Sequence, residues 1–151
     1  IRICLVGSEM CIRDSQHDAL YLHLAIACID GGINPAERRA LADMLPIYVP
    51  DPAEQSAAFI KVTQQLLQID DALVIFYQGC CARLLEAYSQ LERVDLLASM
   101  HRVAVADDRK LNPAEVVLLR MAIVLLDIAE AASISSSGRF VRRFVPVAIT
   151  A

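Results

Sequence analysis

The chain has 151 residues, of which 56% are hydrophobic and 5% aromatic, with five glycines, six prolines and no tryptophan. This length and composition allow one domain with a sizeable core, and they favour packed helices over a turn-rich sandwich or barrel. All acidic residues lie at or before Glu130, so the first 130 residues carry a net charge of −7 (11 basic, 18 acidic), which argues against a nucleic-acid partner.

The predicted location follows from what the sequence lacks. No uninterrupted apolar run reaches the roughly 18 residues that a membrane-spanning helix needs, so we expect no membrane span. The N-terminus does not have the pattern of a secretory signal. The five cysteines are an odd number without metal-type spacing, which disfavours a disulfide framework. Together these features predict a reducing, cytoplasmic compartment.

The first fifteen residues look foreign to the rest of the chain. Residues 5–15 read Leu-Val-Gly-Ser-Glu-Met-Cys-Ile-Arg-Asp-Ser, which resembles the translation of a transposase-based sequencing adapter. We therefore interpret residues 1–15 as an adapter-derived artefact and leave them out of the fold prediction. The alternative is an ordinary N-terminal strand.

Apolar residues at helical spacing, together with capping signals, predict six helices in residues 16–130. The predicted helices span 17–29, 35–45, 52–68, 70 or 71 to 85, 90–106 and 113–129. Pro46 is expected to end the second helix. The sixth is apolar on nearly all sides, which predicts a central position in the bundle. Residues 131–151 are predicted to form a linker and a basic, apolar tail, for which a strand, an amphipathic segment, disorder and a junction artefact like the N-terminus all remain open.

One eight-residue phrase occurs twice, at 30–37 and at 108–115, with five of eight positions identical. Each copy contains Asn-Pro-Ala-Glu. Asparagine is a preferred N-cap, proline suits the first helical position, and glutamate three residues after the cap completes a capping box. Each copy is therefore predicted to form the corner of a helix–loop–helix, in which one helix ends near the aspartate and the next begins after the asparagine.

The repeated phrase resembles the TerB-like domain of tellurite-resistance and stress-response proteins, a relative of which forms part of a membrane-anchored DnaJ-type co-chaperone. In that family a helix ends in Ala-x-x-Asp-Gly, continues as x-Ile-x-x-x-Glu, and the pattern recurs once. The matching residues are Asp30, Gly31, Ile33 and Glu37 in the first copy, and Asp108, Leu111 and Glu115 in the second. The second copy departs from the pattern because Arg109 replaces the glycine. The resemblance covers about residues 16–128.

The resemblance implies an all-α fold, a compact bundle of about six helices with pseudo-twofold related helix–loop–helix corners. It also implies a non-catalytic interaction module of bacterial stress-response assemblies, with protein partners and a location in the cytoplasm or at the periphery of the inner membrane. Two alternatives stay open: a divalent-metal-dependent hydrolase acting on phosphate esters, and a structural fragment of a larger protein. Because no nucleophile elbow, phosphate loop or His-Glu-x-x-His motif is present, we predict no catalytic residue and no required cofactor.

The resemblance further implies a divalent metal at the acidic corners. The candidate ligands are Asp30, Glu37, Asp107, Asp108 and Glu115. Carboxylate oxygens suit calcium or magnesium. Arg109 and Lys110 lie beside Asp108 and oppose a cation, so we expect the site on the first loop or between the two loops. In the alternative interpretation, Glu37 only completes a capping box and Asp30 ends a helix in solvent.

The remaining cysteines and histidines are predicted to be structural. Cys80 and Cys81 are adjacent on a helix, where side chains point about 100° apart, so they suit burial as small hydrophobes better than one tetrahedral metal site. His23 and His101 lie on or beside apolar helix faces and have no carboxylate or cysteine at i+4. We expect both to be partly buried structural residues.

Overall fold

The computed structural model describes residues 9–29, 33–68, 73–106 and 110–143, with side chains from residue 15 onward except at 65–68. Its elements are α1 (Glu9–Cys28), α2 (Pro35–Tyr48), α3 (Pro52–Gln68), α4 (Leu73–Ala87), α5 (Gln90–Ala104), α6 (Pro113–Leu125), β1 (Ala132–Ile134) and β2 (Phe140–Arg142). This confirms the predicted mostly helical bundle, since the two strands have only three residues each. None of the described helices has both the length and the apolarity needed to cross a membrane.

The helix at the centre of the bundle is α1, and the prediction that the sixth helix is central is wrong. Residues 18–27 are all buried, and α1 contacts each of the other five helices. In α6, by contrast, the side chains of Val117 and Val124 are 56% and 72% exposed. A helix that is apolar all round can still leave aliphatic residues in water, because folded surfaces are rich in apolar atoms.

The buried charged residue of α1, Asp18, has a partner on another helix, as the cost of an unpaired buried charge requires. Asp18 is 3% exposed. Its two carboxylate oxygens accept hydrogen bonds from Nε and Nη2 of Arg83 on α4, at 2.8 and 2.9 Å. This bidentate pair fixes the rotation of α4 against α1. On the far side of α4, the Tyr77 hydroxyl donates to the carbonyl of Leu118 on α6 at 2.8 Å.

The second helix continues past Pro46 to Tyr48, so the prediction that Pro46 ends it is wrong. Proline removes a backbone donor and normally breaks a helix interior. Here only two helical residues follow Pro46, and contacts hold the end of the helix in place. The Val49 amide donates to the Leu45 carbonyl at 2.7 Å, and Val49 is buried. The Tyr48 ring packs 5.2 Å from the ring of His23. These contacts offset the missing hydrogen bond.

Two other helix ends differ from the predictions. α1 begins at Glu9, so it includes residues 9–15 of the adapter-like segment; no glycine or proline interrupts the chain between Glu9 and Cys28. α6 ends at Leu125, whereas the sequence predicts a helix to about residue 129. Asp127 has φ +53, and this left-handed conformation, which aspartate tolerates, turns the chain out of the helix.

A small hairpin follows, in a stretch where the sequence predicts a linker. β1 and β2 pair in antiparallel register, with Ser133 opposite Val141. Gly138 in the turn has φ +83 and lies against the Leu111 side chain, which would come within 3.3 Å of a Cβ at this position. Its carbonyl accepts a hydrogen bond from His101 Nε2 at 2.8 Å. The hairpin turn thus packs on the second corner and on α5.

The central position of α1 predicts unequal costs for two truncations. Leu24→Ala, at a fully buried site of α1, should lower the free energy of unfolding by about 3 kcal/mol, through lost burial and the cavity left behind. Val124→Ala, at an exposed site of α6, should change it by about 0.5 kcal/mol or less. Urea unfolding followed by circular dichroism measures both. Equal costs would contradict the assignment of α1 as the core helix.

Candidate functional site

The first corner begins α2 with a complete capping box. Asn34 has extended backbone angles, φ −80 and ψ 167, and Pro35 occupies the first helical position. The Glu37 amide donates to Asn34 Oδ1 at 2.8 Å, and the Asn34 amide donates to Glu37 Oε2 at 3.2 Å. Two backbone donors at the helix start are therefore satisfied reciprocally, as the sequence predicts.

The second corner repeats this geometry at the start of α6. Asn112 has φ −75 and ψ 163, and Pro113 follows it. The Glu115 amide donates to Asn112 Oδ1 at 2.8 Å, and the Asn112 amide donates to Glu115 Oε1 at 3.0 Å. The predicted correspondence between the two helix starts is thus present in backbone angles and in both hydrogen bonds.

Burial distinguishes these two capping boxes from a third one among the described residues. Glu37 and Glu115 are 2% and 4% exposed. Glu92, which closes the box at Ser89 before α5, lies at the surface. A buried carboxylate is tolerated when amide donors and the positive end of a helix dipole face it, and the start of α2 or α6 supplies both. The corners therefore hold two acidic side chains inside the protein.

The other predicted metal ligands, Asp30, Asp107 and Asp108, lie outside the described residues. Within the described part of the chain, no group of three His, Cys, Asp or Glu side chains is arranged to hold a metal ion. Of the five candidate ligands, the structure therefore places only the two capping glutamates, Glu37 and Glu115. The metal site remains a prediction from the sequence.

Residues next to both corners border one groove between α2 and α5. Ala36, which follows Pro35 in the first corner, lines this groove together with Ala106, which lies two residues before the second corner begins at Asp108. The chain segments at the start of one corner helix and at the approach to the other loop therefore meet along a common surface.

A buried histidine ties together the helices that flank the corners. His23 of α1 is fully buried. Its Nδ1 donates to the Ala19 carbonyl at 2.7 Å, so its Nε2 accepts from the Ser99 hydroxyl of α5, also at 2.7 Å. Burial lowers the pKa of His23 to about 4, which keeps the ring neutral. With Tyr48 of α2 packed on the ring, this cluster joins α1, α2 and α5.

The sequence predicts a structural role for His23, but it does not predict that His23 joins three helices. Ser99 is 76 positions from His23, so no local spacing reveals the pair. His101 was likewise expected to be structural, and its partner, the carbonyl of Gly138, comes from the hairpin turn. The only available signal was the presence of a polar residue on an otherwise apolar helix face, which calls for a partner from elsewhere in the fold.

The paired cysteines belong to the core. Cys80 and Cys81 are both fully buried, as the sequence predicts. Burial raises the pKa of the Cys81 thiol to about 12 and that of Cys80 above its usual range. Because the thiolate is the nucleophile and the metal ligand, thiols held in the protonated form are unreactive small hydrophobes.

These features define a helical domain with two corners of one design, each of which buries a capping glutamate. The chain matches the family described as tellurite resistance protein TerB over residues 16–137, and it belongs to that family. The match includes both corners and extends through β1, beyond the region that carries the resemblance in the sequence. No curated protein and no solved structure shows significant similarity to the chain.

The buried His23 predicts a loss of stability in mild acid. Its pKa is about 4 in the folded state and about 6.5 when unfolded, so the unfolded state binds more protons between these values. The stabilisation is complete above about pH 6.5 and declines as the pH falls towards 4. Between pH 7 and pH 5 the free energy of unfolding should drop on the order of 2 kcal/mol from this group.

Urea unfolding at several pH values measures this effect in the wild-type chain and in His23→Gln. The variant should be less stable at pH 7, and its stability should depend less on pH. A variant with the same pH dependence as the wild type would show that another group causes the loss.

Proposed function

We propose that the chain is a non-catalytic helical interaction module of a tellurite-resistance-type stress response, tuned by a divalent cation at its acidic corners. The observation that carries the proposal is the matched burial of Glu37 and Glu115 at the starts of α2 and α6. Each of these glutamates follows a loop that contains aspartate, at residue 30 or at residues 107 and 108. Family membership supports the stress-response assignment.

The proposed cation is calcium or magnesium, held by carboxylate oxygens from among Asp30, Glu37, Asp107, Asp108 and Glu115. Arg109 and Lys110 weaken the second loop as a separate site, so the first loop or the space between the loops is preferred. The approach of both corners to one groove, through Ala36 and Ala106, supports a shared position.

An interaction role suits the chemistry of the described side chains better than catalysis. Cys80 and Cys81 are buried, and burial keeps their thiols protonated. Both ring nitrogens of His23 make hydrogen bonds within the core. The phosphate-ester hydrolase gains no support from the described residues. We propose that the partners are proteins of a membrane-associated stress-response assembly, reached from the cytoplasm.

Calorimetric titration of calcium into the full chain tests the cation. We expect saturable binding that is at least about tenfold weaker in Asp30→Asn, since one charged ligand is lost. Asp51→Asn is the matched control, because Asp51 also precedes a helix that begins with proline, and its side chain accepts from the Ala53 amide. This control should bind calcium like the wild type. A parallel magnesium titration ranks the two ions.

Other outcomes would overturn parts of the proposal. If the wild type gives no binding heat with either ion, while Glu37→Gln lowers the melting temperature, the corners act as caps alone. If the chain hydrolyses phosphate esters and Asp30→Asn abolishes the turnover, the protein is an enzyme.

A further inference from the structure

The groove between α2 and α5 has an apolar floor, and its exposed lining residues are Arg39, Asp43, Ile47 and Arg102. Its volume is about 440 Å³, within the range of protein binding sites. Met44 and Val103, which are 3% and 1% exposed, form the floor. Ile47 at one end is 65% exposed. Most of the apolar area that an aliphatic ligand could cover belongs to Ile47 and to the half-buried Ala36, Ala40 and Ala106.

Two arginines face this groove from opposite walls, Arg39 from α2 and Arg102 from α5. Both are exposed, and neither guanidinium makes an ion pair within the described residues. Asp43 is the acidic side chain in the lining. The first 130 residues of the chain carry a net charge of −7, so a groove with two unpaired arginines stands out against its surroundings. Arginine pairs with carboxylates through two parallel hydrogen bonds.

The length of the groove suits a short helix. From Ala36 to Ile47, α2 rises by about 16 Å, which corresponds to about three helical turns. The walls of the groove include three small side chains, so a partner backbone can approach closely. These are Ala36, Ala40 and Ala106. A helix laid in such a groove presents anchors at positions i, i+4 and i+7.

We propose that this groove binds a helical segment of a partner protein whose aliphatic face is flanked by glutamate or aspartate. The aliphatic side chains contact Met44, Val103 and Ile47, and the carboxylates pair with Arg39 and Arg102. This inference rests on the proposed interaction role and names the kind of partner. A free inorganic anion would pair with the arginines but would not contact the apolar floor. A nucleic acid is disfavoured because, apart from these two arginines, it would be repelled by the net negative charge of the protein.

A peptide-display selection tests the inference on the full chain, in the presence of a chelator. The library encodes random helical peptides of about 12 residues, matched to the length of the groove. We expect enrichment of peptides with aliphatic residues at i, i+4 and i+7 and with acidic residues beside them. Fluorescence anisotropy with one enriched peptide, made synthetically, then gives its dissociation constant.

Substitutions in the groove assign the binding to it. The double variant Arg39→Ala and Arg102→Ala should weaken the enriched peptide at least about tenfold. Arg38→Ala is the matched control, because Arg38 is an exposed neighbour of Arg39 that does not line the groove, and it should bind normally. Ile47→Asp, at an exposed position, should abolish binding without unfolding the chain. Charge reversal, Arg39→Glu with Arg102→Glu, should select basic peptides instead.

The inference is overturned by no enrichment, by enriched peptides without acidic residues, or by binding that survives the double alanine variant. It is also overturned if sedimentation shows a dimer that Ile47→Asp dissociates, because a second copy then occupies the groove. Calcium titration and the peptide assay, both done on the wild-type chain, separate the two proposals, and Ile47→Asp should still bind calcium. Calcium binding without peptide binding removes only this inference, and peptide binding without calcium binding removes only the cation.

Discussion

The architecture depends on a reciprocal pair of hydrogen bonds between an asparagine and the glutamate three residues after it. At Asn34 and again at Asn112, this pair satisfies the first donors of a helix and sets the angle at which the chain turns into it. The pair also buries a carboxylate at each helix start. One local arrangement therefore begins a helix and holds a buried carboxylate at its start.

Helix α1 connects the two corners, because it packs against helices that belong to both of them. This helix enters the first corner and packs against α5, which enters the second. The His23–Ser99 hydrogen bond joins these two helices, and Tyr48 at the end of α2 packs on the histidine ring. Because α2 and α5 also border the groove, the same core cluster supports the corners and the surface proposed for a partner.

Local features were predictable, and features set by distant partners were not. Asn-Pro-Ala-Glu identifies both corners, because the capping box needs only two residues that are three positions apart. The central position of α1 was hidden, since a helix with Asp18 and His23 looks less apolar than α6 until Arg83 and Ser99 are known to satisfy them. The helix end predicted at Pro46 was wrong because tertiary contacts of Tyr48 and Val49 extend the helix past the proline. The two strands were not predicted, because three residues are too few for a periodic pattern. The acidic loops lie outside the described residues, so the metal site remains a prediction.

Native-state hydrogen exchange of the corner amides tests the equivalence of the two corners most directly. The amides of Asn34, Glu37, Asn112 and Glu115 all donate to side chains in the capping boxes. We predict that all four are protected, and that the opening free energies of the two corners agree within about 1 kcal/mol. Exchange at unstructured rates for Asn112 and Glu115, with Asn34 and Glu37 protected, would contradict a domain built on two matched corners.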